Sequence, residues 1–341
     1  MSASAPSCPA AEATIPGLLI GHAENRRAAT GVTALVFDAP AIASVSILGG
    51  APGGRDTALL EPEMSVERVD ALLLSGGSAF GLDAAGGAMS ALAAMGRGFP
   101  VGPVRVPIVP QAILFDLLNG GDKHWGAHPP YWELGRLAAE AAAPRFALGS
   151  VGAGLGATTA DLKGGFGTAA AESRAGHRVQ AFVAVNAIGT ALIGDGPHFW
   201  AAPYEHGAEF GGLGLPAEIL PEALAPRLKG HAAEPATTIG AIVTDAALTK
   251  PQAKRLAIMA QDGIARAIRP AHAPMDGDTL FAAATGARPL AEPMRDLAAL
   301  GLLAADCIAR AIAIAVHRAC ALPYPGALPA WRDRFGPPES A

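Results

Sequence analysis

Short aliphatic and β-branched runs recur along the chain, separated by stretches rich in glycine and proline. Val32–Phe37 and Ile42–Ile47 flank Asp38-Ala39-Pro40 and read as two paired strands around a turn. Val69–Leu74 reads as a buried strand, and the alanine-rich Leu82–Met95 as a core helix. The Gly86-Gly87 pair in that helix suggests close packing on a neighbour. Trp132–Ala143 predicts a helix ended by Pro144, and Val104–Pro110 an edge or kinked strand because of Pro107 and Pro110. Val179–Val185 and Ile188–Ile193 predict a hairpin about Asn186-Ala187. Further on, Thr238–Thr244 and Thr279–Ala284 predict strands, and Pro251–Ile268 and Met294–Cys320 predict helices.

Between these elements lie a loose tail at residues 1–15, a loop at 119–131 and a Gly/Thr-rich stretch at 150–168. A non-periodic segment of about forty residues runs from Gly194 to Ala236. Loops that long inside a compact domain are either functional or disordered. Alternating helices and strands without an internal repeat predict a layered α/β fold, with residues 1–341 as one domain.

Composition supports a large core, with 51% hydrophobic residues and only 16% charged ones. The mean hydropathy of +0.31 raises the question of a membrane. The apolar stretches Ala84–Met95 and Ile308–Val316 are shorter than the roughly 20 residues a span requires, so they read as core helices. A net charge of −5 leaves no basic footprint for nucleic acid or anionic lipid. Met1–Ala13 lacks the basic and apolar parts of a secretory leader. Cys8, Cys307 and Cys320 fit no ligand spacing and read as reduced thiols of a cytoplasmic protein.

Candidate chemistry is sparse. Gly152-Ala153-Gly154-Leu155-Gly156-Ala157 half-fits a dinucleotide fingerprint but lacks the strand before and the helix after. Gly76-Gly77-Ser78-Ala79-Phe80-Gly81 misses a nucleophile elbow by one position and reads as a glycine turn at a helix start. The histidines form no metal pattern, so no metal and no cofactor is expected. Asp276 and Asp278 straddle Gly277 just before a strand; they read either as a solvated turn or as carboxylates set at a strand mouth. Thr237 and Thr238 open a buried strand directly after the long irregular segment, as a nucleophile or as ordinary strand-edge residues.

Several separated blocks, in order, resemble the L-aminopeptidase/D-amidase-esterase (DmpA-like) family. They are Gly49-Gly50-Ala51-Pro52-Gly53, Gly76–Leu82, Val106–Pro110, Gly149–Gly154, Leu162-Lys163-Gly164-Gly165, Val185-Asn186, Thr237-Thr238-Ile239, Val243-Thr244-Asp245 and Met275–Phe281. The likeness covers about residues 15–320. It implies a four-layer αββα sandwich of the N-terminal-nucleophile type and a chain that cuts itself between Ala236 and Thr237. The products would be an α subunit, 1–236, and a β subunit, 237–341.

By the same resemblance Thr237 is the nucleophile, and its freed α-amine, with a reference pKa near 8, serves as its base. Asp276 and Asp278 would hold and polarise the Thr237 hydroxyl and amine, Asn186 would donate to the oxyanion, and Lys163 would supply positive charge nearby. Members often carry Asn before the nucleophile, where this chain has Ala236. Some members carry Tyr near the site where this chain has Phe115, read here as lining an apolar substrate pocket. The implied activity is aminopeptidase hydrolysis of small peptides, amides or esters. The alternatives are hydrolysis of 6-aminohexanoate (nylon) oligomers, acyl transfer like that of ornithine acetyltransferases, and an unprocessed, inactive binding protein. The implied assembly is a tetramer of αβ units, with neither nucleic acid nor membrane as partner.

Overall fold

A computed structural model describes residues 10–230 and 235–336. Cys8, the first part of the tail and residues 231–234 of the long segment lie outside the described residues. The main strands are β1 (Leu18–Asn25), β2 (Thr30–Ile47), β3 (Arg68–Ser75), β4 (Gln111–Ile113), β5 (Phe166–Glu172), β6 (Arg178–Asn186), β7 (Thr237–Ala246) and β8 (Thr279–Arg288). The helices are α1 (Ala84–Ala94), α2 (Tyr131–Glu140), α3 (Lys250–Ala260), α4 (Asp262–Ala267) and α5 (Pro293–Arg318).

The hydrogen-bonded order is β5-β6-β7-β8-β2-β3-β4, with β1 paired to β2. β2 is the hinge of this arrangement. Its first half pairs with β1 and β3, and its second half, Ile42–Ile47, pairs antiparallel with β8. The predicted strand pair is therefore one continuous strand. Asp38, Ala39 and Pro40 are an exposed bend where the register with β3 shifts, not a hairpin turn.

Period-2 alternation along β2 sorts the layers. Val32, Ala34 and Val36 pack in one cluster with Ala71, Leu73, Ala88, Leu92, Leu134 and Ala138, which are residues of β3, α1 and α2. Leu35 and Phe37 point the other way, into a cluster with Leu72, Phe166 and Phe182 that continues to Leu256, Ile264 and Ile308 of α3, α4 and α5. The His22 ring of β1 meets the Phe166 ring of β5 edge-on, 4.9 Å between centroids, so the two sheet halves face each other. The result is helices, sheet, sheet, helices: the four-layer αββα sandwich. In α1, a Cβ on Gly87 would lie 1.8 Å from the Trp132 carbonyl oxygen, and this is the close helix contact expected from the glycine pair.

Four readings change. Residues 188–193 form no strand; Thr190 and Leu192 make only isolated bridges, to Arg269 and Phe199. The helix from Pro251 is broken at Gln261, whose buried side-chain amide donates to the Ser46 carbonyl. Ala10–Glu12, within the supposed tail, pair with Arg145–Ala147. Finally, Ile308–Val316 belongs to the 26-residue α5, which is long and apolar enough to cross a membrane. Of its most apolar window 78% is buried, packed on β5 and β6, so it is the core helix of the second helical layer.

Candidate active site

β7 begins where Pro235 ends the irregular segment and a β-branched run takes over. It is a central strand, antiparallel to β6 and parallel to β8, and every residue in it is buried. The register sets Thr237 opposite Asn186, the last residue of β6.

The bond before Thr237 is held from two sides. Thr237 Oγ1 donates to the Ala236 carbonyl oxygen, which also accepts the Gly277 N–H at 2.9 Å. The Asp276-Gly277-Asp278 turn is itself clamped by the glycine loop after β2, since Ala51 N–H donates to the Asp276 carbonyl at 2.7 Å. Asp276 and Asp278 are each 1% exposed, which sets aside the solvated-turn reading.

The two carboxylates have different surroundings. Asp278 accepts from Thr238 N at 2.7 Å and, on its other oxygen, from His272 N at 3.0 Å and His272 Nδ1 at 2.8 Å. Its bonds thus go to the residue after Thr237, not to the Thr237 hydroxyl. Neither side-chain oxygen of Asp276 has a hydrogen-bond partner among the described residues. Burial first, and then the neighbouring Asp278 charge, push the Asp276 carboxyl up to about 8. At neutral pH Asp276 therefore keeps its proton.

Asn186 is fixed in orientation. Its Oδ1 accepts from Thr158 N and from Lys229 Nζ, both at 3.0 Å, and its Nδ2 donates to the Phe115 carbonyl at 2.8 Å. An amide nitrogen carries two protons, so one N–H of Asn186 remains for another acceptor. Lys163 is buried, and its Nζ donates to the carbonyls of Gly154, Ala157 and Gly164 at 2.9, 2.6 and 2.8 Å. Those three bonds hold its own loop, and burial lowers its pKa to about 7.

A cavity of about 220 Å³ opens beside this centre, with Phe115, Thr158, Lys163, Lys229 and Pro235 among its walls. Asp116 lies at its edge, bonded by Thr30 Oγ1 at 2.6 Å and Gly77 N at 2.8 Å; burial raises its carboxyl pKa. The Gly76-Gly77-Ser78 block thus seats a carboxylate, with Ser78 heading a 3-10 turn before α1. Among the described residues, no cluster of three His, Cys, Asp or Glu side chains could hold a metal ion.

The backbone register thus brings Thr237, Asn186 and the Asp276–Asp278 turn to the Ala236–Thr237 bond, and Lys163 and Phe115 line the adjoining cavity. Sequence reasoning missed Lys229, His272 and the Gly277 N–H. The one available signal for Lys229 is that it is the single lysine between residues 194 and 236.

The model of peptidase family S58 matches residues 13–325. An uncharacterized aminopeptidase of Mycobacterium tuberculosis is 42% identical over 319 residues, covering 90% of each chain. A 6-aminohexanoate-oligomer endohydrolase of an Agromyces species is 30% identical over 279 residues, covering 79% of this chain and 73% of that one. Among solved structures, a β-aminopeptidase of a Burkholderia species superposes with a TM-score of 0.64 at 23% identity, over 94% of this chain and 90% of that one. The L-aminopeptidase D-Ala-esterase/amidase of Ochrobactrum anthropi, described as a variant of the Ntn hydrolase fold, gives 0.63 at 19% identity, over 94% and 91%.

Proposed function

This chain belongs to peptidase family S58, and from that premise we propose that it cuts its own Ala236–Thr237 bond and then acts as an aminopeptidase on small peptides, amides or esters, with Thr237 as nucleophile. The observation that carries the reading is the Ala236 carbonyl, which lies against the Thr237 hydroxyl while a backbone N–H holds its oxygen.

In the uncut chain, Thr237 Oγ1 adds to the Ala236 carbonyl carbon, and the Gly277 N–H stabilises the oxygen as charge develops. The C–N bond then breaks, the hydroxyl proton passes to the departing nitrogen, and an ester joins Ala236 to Thr237 Oγ1. Water hydrolyses that ester to an Ala236 carboxylate and a Thr237 with free amine and hydroxyl. In turnover, the amine takes the hydroxyl proton as Oγ1 attacks the substrate acyl carbon, and gives it to the leaving amine. The remaining Asn186 N–H and the Gly277 N–H face the oxyanion, and water releases the acyl group. Protonated Asp276 adds no charge beside the nucleophile, and Lys229 and the protonated fraction of Lys163 supply positive charge beside the cavity.

Within this reading 6-aminohexanoate oligomers are the second substrate class, supported by the relatives bearing that name. Free Cys307 and Cys320 fit a reducing, cytoplasmic setting. Exposed Phe99, Val101, Val104 and Val106 fit an assembly of αβ units.

Denaturing mass analysis of the wild type beside Thr237→Ala tests the proposal. The wild type should give two chains, the second beginning at Thr237, and the variant one chain of 34.2 kDa. A wild type that stays whole yet hydrolyses amides overturns the mechanism. Product partition toward added hydroxylamine, in preference to water, would point to acyl transfer instead.

A further inference from the structure

The chain after α5 has no part in the chemistry above, yet it forms one side of the cavity. Leu322, Gly326, Ala327 and Leu328 all line it. The match to the family model ends at residue 325, within this wall. We infer that the segment from Leu322 to Leu328 is the specificity-determining wall of the acyl cavity, admitting substrates whose amino-terminal residue carries one compact apolar side chain. This deepens the aminopeptidase reading and rests on it.

Anchors at both ends make the segment a fixed wall. At its start, Ser150 Oγ donates to the Cys320 carbonyl at 2.7 Å and accepts the Cys320 N–H at 3.0 Å. At its end, the Pro329 carbonyl accepts the Lys163 N–H at 2.8 Å. Trp331 follows, 7% exposed, with its indole N–H on the Pro197 carbonyl at 3.1 Å and its ring stacked on Phe199 at 6.0 Å. Midway, the Tyr324 hydroxyl donates to the Arg26 carbonyl. Between these points Leu322, Ala327 and Leu328 are half-buried, turned to the cavity and facing the Phe115 side of it.

Position and size make this the acyl side. Pro235, next but one to Thr237, shares the cavity with Lys229, which holds Asn186 opposite Thr237. Its volume of about 220 Å³ compares with the roughly 150 Å³ in which an apolar protein cavity takes up benzene. A leucyl-sized group fits such a space and a second residue does not. Lys163, Lys229 and Asp116 make part of its wall polar, and the apolar side chain would lie on the opposite side, against Phe115, Leu118, Leu322 and Leu328.

The test compares kcat/KM for alanyl, leucyl and tryptophanyl p-nitroanilides in the wild type, Leu322→Ala/Leu328→Ala and Leu328→Trp, with self-cleavage followed by mass in each. One methylene in an apolar pocket changes kcat/KM by roughly 10–200-fold. The tryptophanyl-to-alanyl ratio should therefore rise at least about tenfold in the double variant, and the leucyl-to-alanyl ratio fall at least about tenfold in Leu328→Trp. The tryptophan variant keeps the question open to test if the double variant fails to fold. Ratios unchanged within about twofold in cleaved, active variants overturn this inference alone. A wild type that neither cleaves itself nor turns over any of the three substrates overturns the aminopeptidase reading and, with it, this inference.

Discussion

Gly277→Ala perturbs the backbone donor and the Thr237 hydroxyl at one point of contact. A Cβ there would lie 2.8 Å from Thr237 Oγ1, 3.0 Å from Thr237 Cγ2 and 2.9 Å from the Ala51 carbonyl oxygen. Ordinary carbon contacts sit at about 3.5–4.0 Å, so the turn must retreat by roughly half an ångström or more. The Gly277 N–H to Ala236 oxygen bond is 2.9 Å in the native turn. The same retreat would carry it past about 3.4 Å, where little hydrogen bond remains. Loss of one oxyanion donor lowers a rate by about 10²–10³, or roughly 3–4 kcal/mol of transition-state stabilisation.

The assay is the time course of conversion from one chain to two, by denaturing gel and intact mass, after dilution of denatured protein into refolding buffer. Thermal unfolding of the same sample reports the fold, because overpacking alone costs about 1–3 kcal/mol of stability. Gly277→Ala should fold and cleave at least about a hundredfold more slowly than wild type. Cleavage at the wild-type rate in a folded Gly277→Ala protein would refute the assignment of this N–H.

Other outcomes follow from the same geometry. In an uncut Thr237→Ala background, Asp276 keeps its proton to about pH 8, whereas its ordinary value is 3.8; stability should fall as pH rises through that window, and Asp276→Asn should flatten the fall in urea unfolding at pH 5 and 7. Lys163, lowered to about 7, acts in a higher window, contributing stability that rises with pH between its folded and ordinary values. Lys229→Met removes a charged donor from Asn186 and should slow both cleavage and turnover by about 10–100-fold, with kcat falling more than KM changes. His272→Ala removes the ring donor to Asp278 and should lower kcat by about tenfold or more. His272→Asn, which tolerates the positive φ of 56° and can donate, should recover part of that loss; equal loss in both would make the role of His272 purely structural.

What the sequence disclosed depended on how local each feature is. The start of β7 was legible because Pro235 and the β-branched run after it sit in one short window. The bend in β2 was not, since Asp38-Ala39-Pro40 carries turn residues while the backbone stays extended through them. Residues 188–193 misled for a different reason. Their apolar pattern reports burial, but the pairing partners available to them are Arg269 and Phe199, in loops, and not a neighbouring strand. The site divides in the same way. Asp276, Asn186 and Lys163 stood in recognisable blocks. Lys229 and His272 gain meaning only from contacts with Asn186 and Asp278, which periodicity along the chain cannot report. The cavity wall after α5 was hidden in a proline-rich tail.

Placing the proposed cleavage point at the head of β7 also answers how the chain could be cut within its central sheet without losing its core. β7 is flanked by β6 and β8, and its ladder continues to Thr237 itself, opposite Asn186. Thr238 N–H is held by Asp278, and the Asp276–Asp278 turn is held by Ala51. None of these bonds runs through the Ala236–Thr237 peptide. Cutting it would therefore free the carboxyl end at Ala236 while the new amino terminus stays where the strand put it. A nucleophile on a loop would gain freedom on cleavage and lose its alignment with Asn186. Under the proposed self-cleavage the sheet has already fixed the residue that would become the catalyst, so the free amine and hydroxyl would appear in a site that needs no further ordering.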